Sequence, residues 1–216
     1  KGVVFVAIMV SNWWNPNTSG AYGPLVANLT GMRDVMREVG WRADVVTLMP
    51  GGGGPIGQTG LITEFSSLDE YVAAIDSPPD PKVMEHQRDI ETSDSVPIRS
   101  TTSMEIAGTE ISYEELPKNV VQVSHIKPIP EKMQDALVDI AKSQAIWRRV
   151  GIPVRAMQAV YSDPWPALTF VQYFDSGQMM AEKTQALFAD AEWNSHFANS
   201  LENRQIVRQS AYRVLE

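Results

Sequence analysis

The sequence predicts an α+β protein built from two successive β-α-β-β-α-β units, and three observations carry that prediction. Strand-like and helix-like patterns follow one another in that order twice. Landmarks recur at a separation of about 110 residues: Arg37-Glu-Val-Gly40 with Arg148-Arg-Val-Gly151, Phe65 with Phe174, and Asp80 and His86 with Asp190 and His196. The opening strand is apolar on both faces, Val3, Phe5, Ala7 and Met9 against Val4, Val6, Ile8 and Val10. A strand buried on both sides needs a second layer beyond the helices, and the other half's sheet is the expected layer.

In chain order, Val3–Val10 is rich in β-branched residues and reads as a strand. Ser11–Gly20 reads as a loop because Asn, Pro, Ser and Gly are turn formers. From Tyr22 to Val39, Leu25, Leu29, Met32, Val35, Met36 and Val39 recur at helical spacing, and Gly40 ends the helix. Ala43–Met49 and Thr59–Phe65 read as strands around the glycine-rich turn 50–57. Ser67 with Glu70 three residues on forms a capping-box pattern for the next helix. Pro78-Pro79 interrupts that helix, a second piece covers Lys82–Ile90, and Val96–Ile106 is the fourth strand. The order then repeats: strand Val120–Ile126, helix Glu131–Val150 stopped by Gly151, and strands Val154–Tyr161 and Ala167–Phe174 around the turn 162–166. Helix Met179–Asn199 and strand Ile206–Leu215 complete it. The domain reading is 1–107 for the first repeat, 108–118 for a polar, acidic linker, and 119–216 for the second.

The 216 residues suffice for two cores. A hydrophobic fraction of 44% and a charged fraction of 20% are ordinary for a globular chain. A net charge of −8 argues against nucleic acid and anionic lipid as partners, since both repel an acidic surface. With no cysteine, disulfides, thiol catalysis and thiolate metal sites are excluded. The eight-residue apolar run Val3–Val10 is too short to span a bilayer. A start at Lys1 fits removal of a secretory segment or of a tag, so cytoplasmic, periplasmic and secreted locations all stand. Gly51–Gly54 is followed by a strand and no Lys, so it reads as a hairpin tip and not a phosphate loop.

The β-α-β-β-α-β order with a strand-aromatic-x-Ser unit and an Asp-x5-His helix segment, Phe174/Ser176 with Asp190/His196, resembles the ferredoxin-like dimeric α/β-barrel superfamily, fused in tandem. The resemblance extends to the antibiotic-biosynthesis monooxygenases and the NIPSNAP-like proteins. It implies two ferredoxin-like repeats whose antiparallel sheets pack into a barrel-like body, with a cavity for a flat organic ligand. It also implies a cofactor-independent monooxygenase, cyclase or isomerase acting on an aromatic or polyketide-like substrate. A non-catalytic binding protein is the alternative. Because the halves are fused, a monomer or a homodimer is expected. The haem-degrading branch offers haem as a further alternative: its iron-binding His falls on His196 and His86, and its cavity Trp on Phe174 and Phe65. Its first-strand Asn has no counterpart in Val121–His125.

Three residues are the expected catalytic set. His196 and His125 carry imidazoles that titrate near neutrality. Tyr173 alternates with Val171 and Thr169 on a strand face and would act as a donor. Packing or solvent exposure is the plain alternative for each. Trp13, Trp14 and Trp165, in segments read as loop or turn, are expected to line a ligand mouth with Phe65, Phe174 and His86. Glu192 and His196 lie one helical turn apart, but no third ligand is evident and no metal is assigned.

Overall fold

The structure is a computed structural model describing residues 7–106, 111–161 and 167–216. It divides into two compact units. The first runs to Met104 and takes in Tyr212–Glu216; the second spans Glu105–Ala211.

The first unit holds β1 (Ile8–Pro16), α1 (Tyr22–Glu38), β2 (Arg42–Leu48), β3 (Thr59–Phe65), α2 (Leu68–Asp76), α3 (Pro81–Thr92) and β4 (Ser95–Glu105). All pairings are antiparallel: β1 lies between β3 and β4, and β2 flanks β3. Tyr212–Leu215 pairs with the outer side of β2. The core is aliphatic. Leu25, Leu29 and Met32 of α1 and Ile90 of α3 close over Ala43, Val45 and Leu61, with Trp14, Met36, Val83 and Leu215 at the margin.

The second unit holds β5 (Val120–Pro128), α4 (Met133–Arg149), β6 (Val154–Tyr161), β7 (Leu168–Phe174), α5 (Gly177–Ala189), α6 (Ala191–Ser200) and β8 (Arg204–Leu215). Its strands run in the order β8-β5-β7-β6, the counterpart of β4-β1-β3-β2 in the first unit. The chain is therefore α+β with antiparallel strands. Among the described residues, no helix is long and apolar enough to cross a membrane.

The helix stops follow from the sequence. Gly40 and Gly151 take φ of +89° and +78°, where a side chain would be strained. Each closes a Schellman turn: Trp41 N–H donates to Met36 O at 3.0 Å, and Ile152 N–H to Trp147 O at 2.9 Å. Ser67 and Ser176 cap α2 and α5 by accepting from the N–H three residues on, both at 3.1 Å. The Glu70 carboxylate reaches Ser66, one residue before the position that a capping box requires.

Three expectations need correction. The segment read as a loop from Ser11 is strand as far as Pro16; the part of the Val3–Val10 expectation before Ala7 lies outside the described residues, as do the residues 107–110 and the turn 162–166. Asn and Pro are turn formers on their own, but pairing to both β3 and β4 outweighs that preference, with a bulge at Trp13/Trp14 absorbing the misfit. Trp13 is thus a core residue, 4% exposed, with its ring 4.7 Å from that of Tyr212. The single helix expected over Met179–Asn199 is two, because the Asp190 carboxylate accepts from Trp193 N–H at 2.8 Å and starts α6 afresh. The last strand begins at Arg204 and not at Ile206.

One buried ion pair belongs to the second unit. Arg155, with 0% of its surface exposed, donates Nε to Glu105 Oε1 at 2.8 Å and Nη2 to Oε2 at 3.1 Å. Removing one partner strands the other charge away from water. Urea unfolding of Glu105→Gln is expected to show a loss of about 3–5 kcal/mol, and an Arg155→Met/Glu105→Leu double variant a smaller loss than either single change. Gly60→Ala is expected to lose about 1–3 kcal/mol, because an added Cβ would fall 2.6 Å from the Trp13 ring.

Candidate functional site

The site is a cavity of about 150 Å³ inside the second unit, between its sheet and its helices. Strand alternation builds its floor. Gln122, Ser124 and Ile126 of β5 and Phe170 and Gln172 of β7 point toward the helices. The roof comes from Trp147 of α4, Leu187 and Phe188 of α5, and Trp193 and Phe197 of α6. The walls are aromatic and mutually packed. Trp147 meets Phe170 edge-on at 4.5 Å and Trp193 at 5.3 Å, and Trp193 meets Phe197 at 5.4 Å.

At one end stands Arg204, the first residue of β8, 3% exposed. Its Nη2 donates to Ser143 Oγ at 2.9 Å and to Ser200 Oγ at 3.1 Å, and its guanidinium lies 5.5 Å from the Phe170 ring centre. Burial lowers its pKa to about 10, partly offset by the Asp139 charge, so the group is still a cation at neutral pH. Among the described residues, Arg204 Nη1 has no hydrogen-bond partner, and neither do three other buried atoms on lining residues: Trp147 Nε1, Trp193 Nε1 and Gln172 Oε1. Native interiors rarely leave such groups unmet, and four of them belong to residues that line this one void.

His196 stands behind this constellation, in α6 and 4% exposed. Its Nε2 lies 3.0 Å from the Asp139 carbonyl oxygen and 2.9 Å from Ser143 Oγ. A carbonyl only accepts, so Nε2 carries the proton. Burial, the largest cause, pushes the His196 pKa below the ordinary value; Asp139 opposes this, and the Arg204 and Lys142 charges add to it. A neutral imidazole thus anchors Ser143, and Ser143 anchors Arg204. Glu192, one turn from His196, is instead drawn to Arg149, so the two do not share a ligand. Among the described residues, no group of three His, Asp or Glu side chains could hold a metal ion.

The other expected site residues fall elsewhere. His125 and Tyr173 sit on the opposite face of β5 and β7 from the cavity, His125 paired in register with Thr169, its Nδ1 3.5 Å from the Thr169 hydroxyl, and Tyr173 with Val121. Phe174 is a buried core residue absent from the cavity lining. In the first unit, Phe65 packs edge-on between Trp41 and Tyr71, each at 5.5 Å. Half-buried His86 rests on Gly31, with Nδ1 3.4 Å from Asn28 Oδ1. Trp14 packs at the margin of the first core. Trp165 lies outside the described residues.

Arg204 and Gln172 were not legible as site residues. Leu201–Arg204 reads as a polar loop, where an arginine is expected in water.

No family model matches the chain, and neither does any curated protein sequence. Solved structures are similar over nearly its whole length. They include an anthrone oxidase-like protein, at 14% identity and a TM-score of 0.63, covering 97% of this chain and 92% of that one. A protein from Fusobacterium nucleatum assigned as a monooxygenase gives 6% and 0.63, covering 100% and 94%. A chlorite dismutase variant from Candidatus Nitrospira defluvii gives 7% and 0.57, covering 100% and 93%. At such identities the likeness shows the fold alone: the ferredoxin-like α+β fold of the dimeric α/β-barrel proteins.

The buried imidazole makes stability depend on pH with a definite sign. As pH falls below the ordinary histidine value of about 6.5, the unfolded chain takes up a proton that folded His196 refuses. Its contribution is present above that value and is lost as pH falls toward the lowered folded one. Urea unfolding at about pH 7.5 and about pH 5 is expected to show a smaller acid loss in His196→Gln than in the parent chain.

Proposed function

We propose that the protein binds a small aromatic molecule in the cavity of its second unit, and that any chemistry there is of the cofactor-independent monooxygenase, cyclase or isomerase kind. The observation that carries this reading is the aromatic-walled void with unmet polar atoms at Arg204, Gln172, Trp147 and Trp193. The likeness in fold to proteins described as an anthrone oxidase-like protein and as a monooxygenase supports it. The volume suits one ring: voids near 150 Å³ lined by apolar side chains accept benzene-sized guests.

This chain's residues would divide the work simply. Trp147, Phe170, Trp193 and Phe197 hold the ring and exclude water. Arg204 stabilises negative charge on a substrate oxygen, lowering the pKa of a bound phenol so that its anion, the form molecular oxygen attacks most readily, is populated. The described lining holds no carboxylate, imidazole or amine to remove the proton. That observation favours a second reading, a non-catalytic, NIPSNAP-like binding protein. His125 as a general base and Tyr173 as a donor that positions the ring stay proposals on the other sheet face. Haem does not fit at His196: its Nε2 is committed to Asp139 and Ser143, and the ring lies under Trp193. We also propose that 1–107 and 119–216 are copies of one ancestral repeat.

Trp147 and Trp193 make the cavity self-reporting. Titration with single-ring quinols is expected to quench tryptophan fluorescence saturably, and Leu187→Trp, which fills the void, is expected to weaken binding at least about tenfold. An oxygen electrode and product analysis together separate the two readings: oxygen uptake or a new product that Leu187→Trp abolishes means turnover, and binding with neither means a carrier. Absence of any saturable quench would sink both.

A further inference from the structure

We propose that the ligand of this cavity is a single-ring aromatic compound carrying an ionised oxygen, carboxylate or phenolate, seated on Arg204 Nη1. The proposal rests on reading the cavity as a ligand site, and adds the charge of the ligand and the residue that reads it.

The first ground is an uncompensated cation. Arg204 is 97% withdrawn from solvent, being 3% exposed, and its partners are two neutral hydroxyls. Among the described residues, no carboxylate lies within ion-pair distance of it. Asp139, whose charge partly offsets the burial of Arg204, instead accepts from Asn203 Nδ2 at 2.8 Å. A buried charge ordinarily has a counter-charge. The same unit shows that solution at Arg155, whose guanidinium is matched by Glu105 on two atoms. Arg204 has the burial without the match, and the space beside it is open.

The second ground is the sign of the unmet groups. Of the four unpartnered lining atoms, three are donors (Arg204 Nη1, Trp147 Nε1 and Trp193 Nε1) and one, Gln172 Oε1, is an acceptor. A donor-rich void selects an acceptor-rich guest, and an anionic oxygen accepts from several donors at once. The third ground is position. Asn203 O accepts from Ile129 N–H, so Arg204 enters at the end of β5 beyond Ile126, while Gln172 pairs in register with Gln122 at the other end. Aromatic walls lie between. A ring with its charged oxygen at one end matches that layout.

Benzoate, its neutral isostere benzamide, and toluene test the proposal by tryptophan fluorescence on the intact chain. Benzoate is expected to bind about 30-fold tighter than benzamide, and the preference to survive about 0.5 M NaCl because the charge is buried. In Arg204→Met the preference is expected to fall to nearly nothing while toluene binding persists. For the phenolate arm, 4-nitrophenol at about pH 6 is expected to shift toward its phenolate absorption on binding, and to lose the shift in Arg204→Met. Either arm behaving so supports the proposal. Should Arg204→Met fail to fold, Arg204→Lys, which keeps the charge and loses the fork, is expected to cut the benzoate preference about fivefold. Equal binding of benzoate and benzamide with no nitrophenol shift overturns the ionised oxygen and leaves an aromatic site standing. Acetate competing as well as benzoate overturns the ring. Failure of all the probes, toluene included, overturns the site itself.

Discussion

A guanidinium kept from water is the constraint to which the second unit is arranged. Arg204 cannot shed its proton at neutral pH, so its surroundings must hold a charge. Ser143 of α4 and Ser200 of α6 supply hydroxyls, and His196 with the Asp139 carbonyl fixes Ser143 in turn. Two helices are thereby tied to the start of β8 by polar bonds as well as by packing. Such a network is directional, whereas apolar contacts can slide. The void beside it persists because filling it with a methylene chain would leave Nη1 facing hydrocarbon.

The first unit shows what the same layout becomes without the charge. The helix stops and caps align the two halves, and positions can be matched through them. Ser143, Ser200 and Arg204 then correspond to Met32, Ile90 and Ser95. The walls Trp147, Trp193 and Phe170 correspond to Met36, Val83 and Leu61. Of these first-unit residues, Met32, Ile90 and Leu61 belong to its aliphatic core and Met36 and Val83 pack against it. Positions that pack an aliphatic core in one half carry polar and aromatic side chains in the other. His86 follows suit: where His196 is buried in the network, His86 is half-buried over Gly31.

Much of the fold was legible because its signals are local. Gly40, Gly151 and Ser67 each act through one turn of backbone, and their roles follow from residue type alone. What failed depended on distant partners. Ser11–Pro16 is a strand because two neighbours claim it, and Asp190 divides a helix because its side chain captures one N–H. The cavity of the second unit was hidden for the same reason in sharper form. His125 and Tyr173 were chosen by chemistry and strand parity, but parity cannot say which face of β5 and β7 meets the helices. Arg204 was passed over because arginine is expected outside, and only tertiary structure places it within.

A chamber offering donors and no base has a definite bearing on catalysis. Donors held in place stabilise an oxyanion whether or not it reacts, so binding and rate improve together only where charge grows on the oxygen they touch. A carboxylate on Arg204 carries its full charge from the start. It serves as a handle, and the ring reacts elsewhere or not at all. A phenol or enol is different, since the same guanidinium favours loss of its proton, to solvent in the absence of a lining base, and holds the electron-rich anion in a water-poor space. The head group of the guest therefore decides whether this architecture carries or converts.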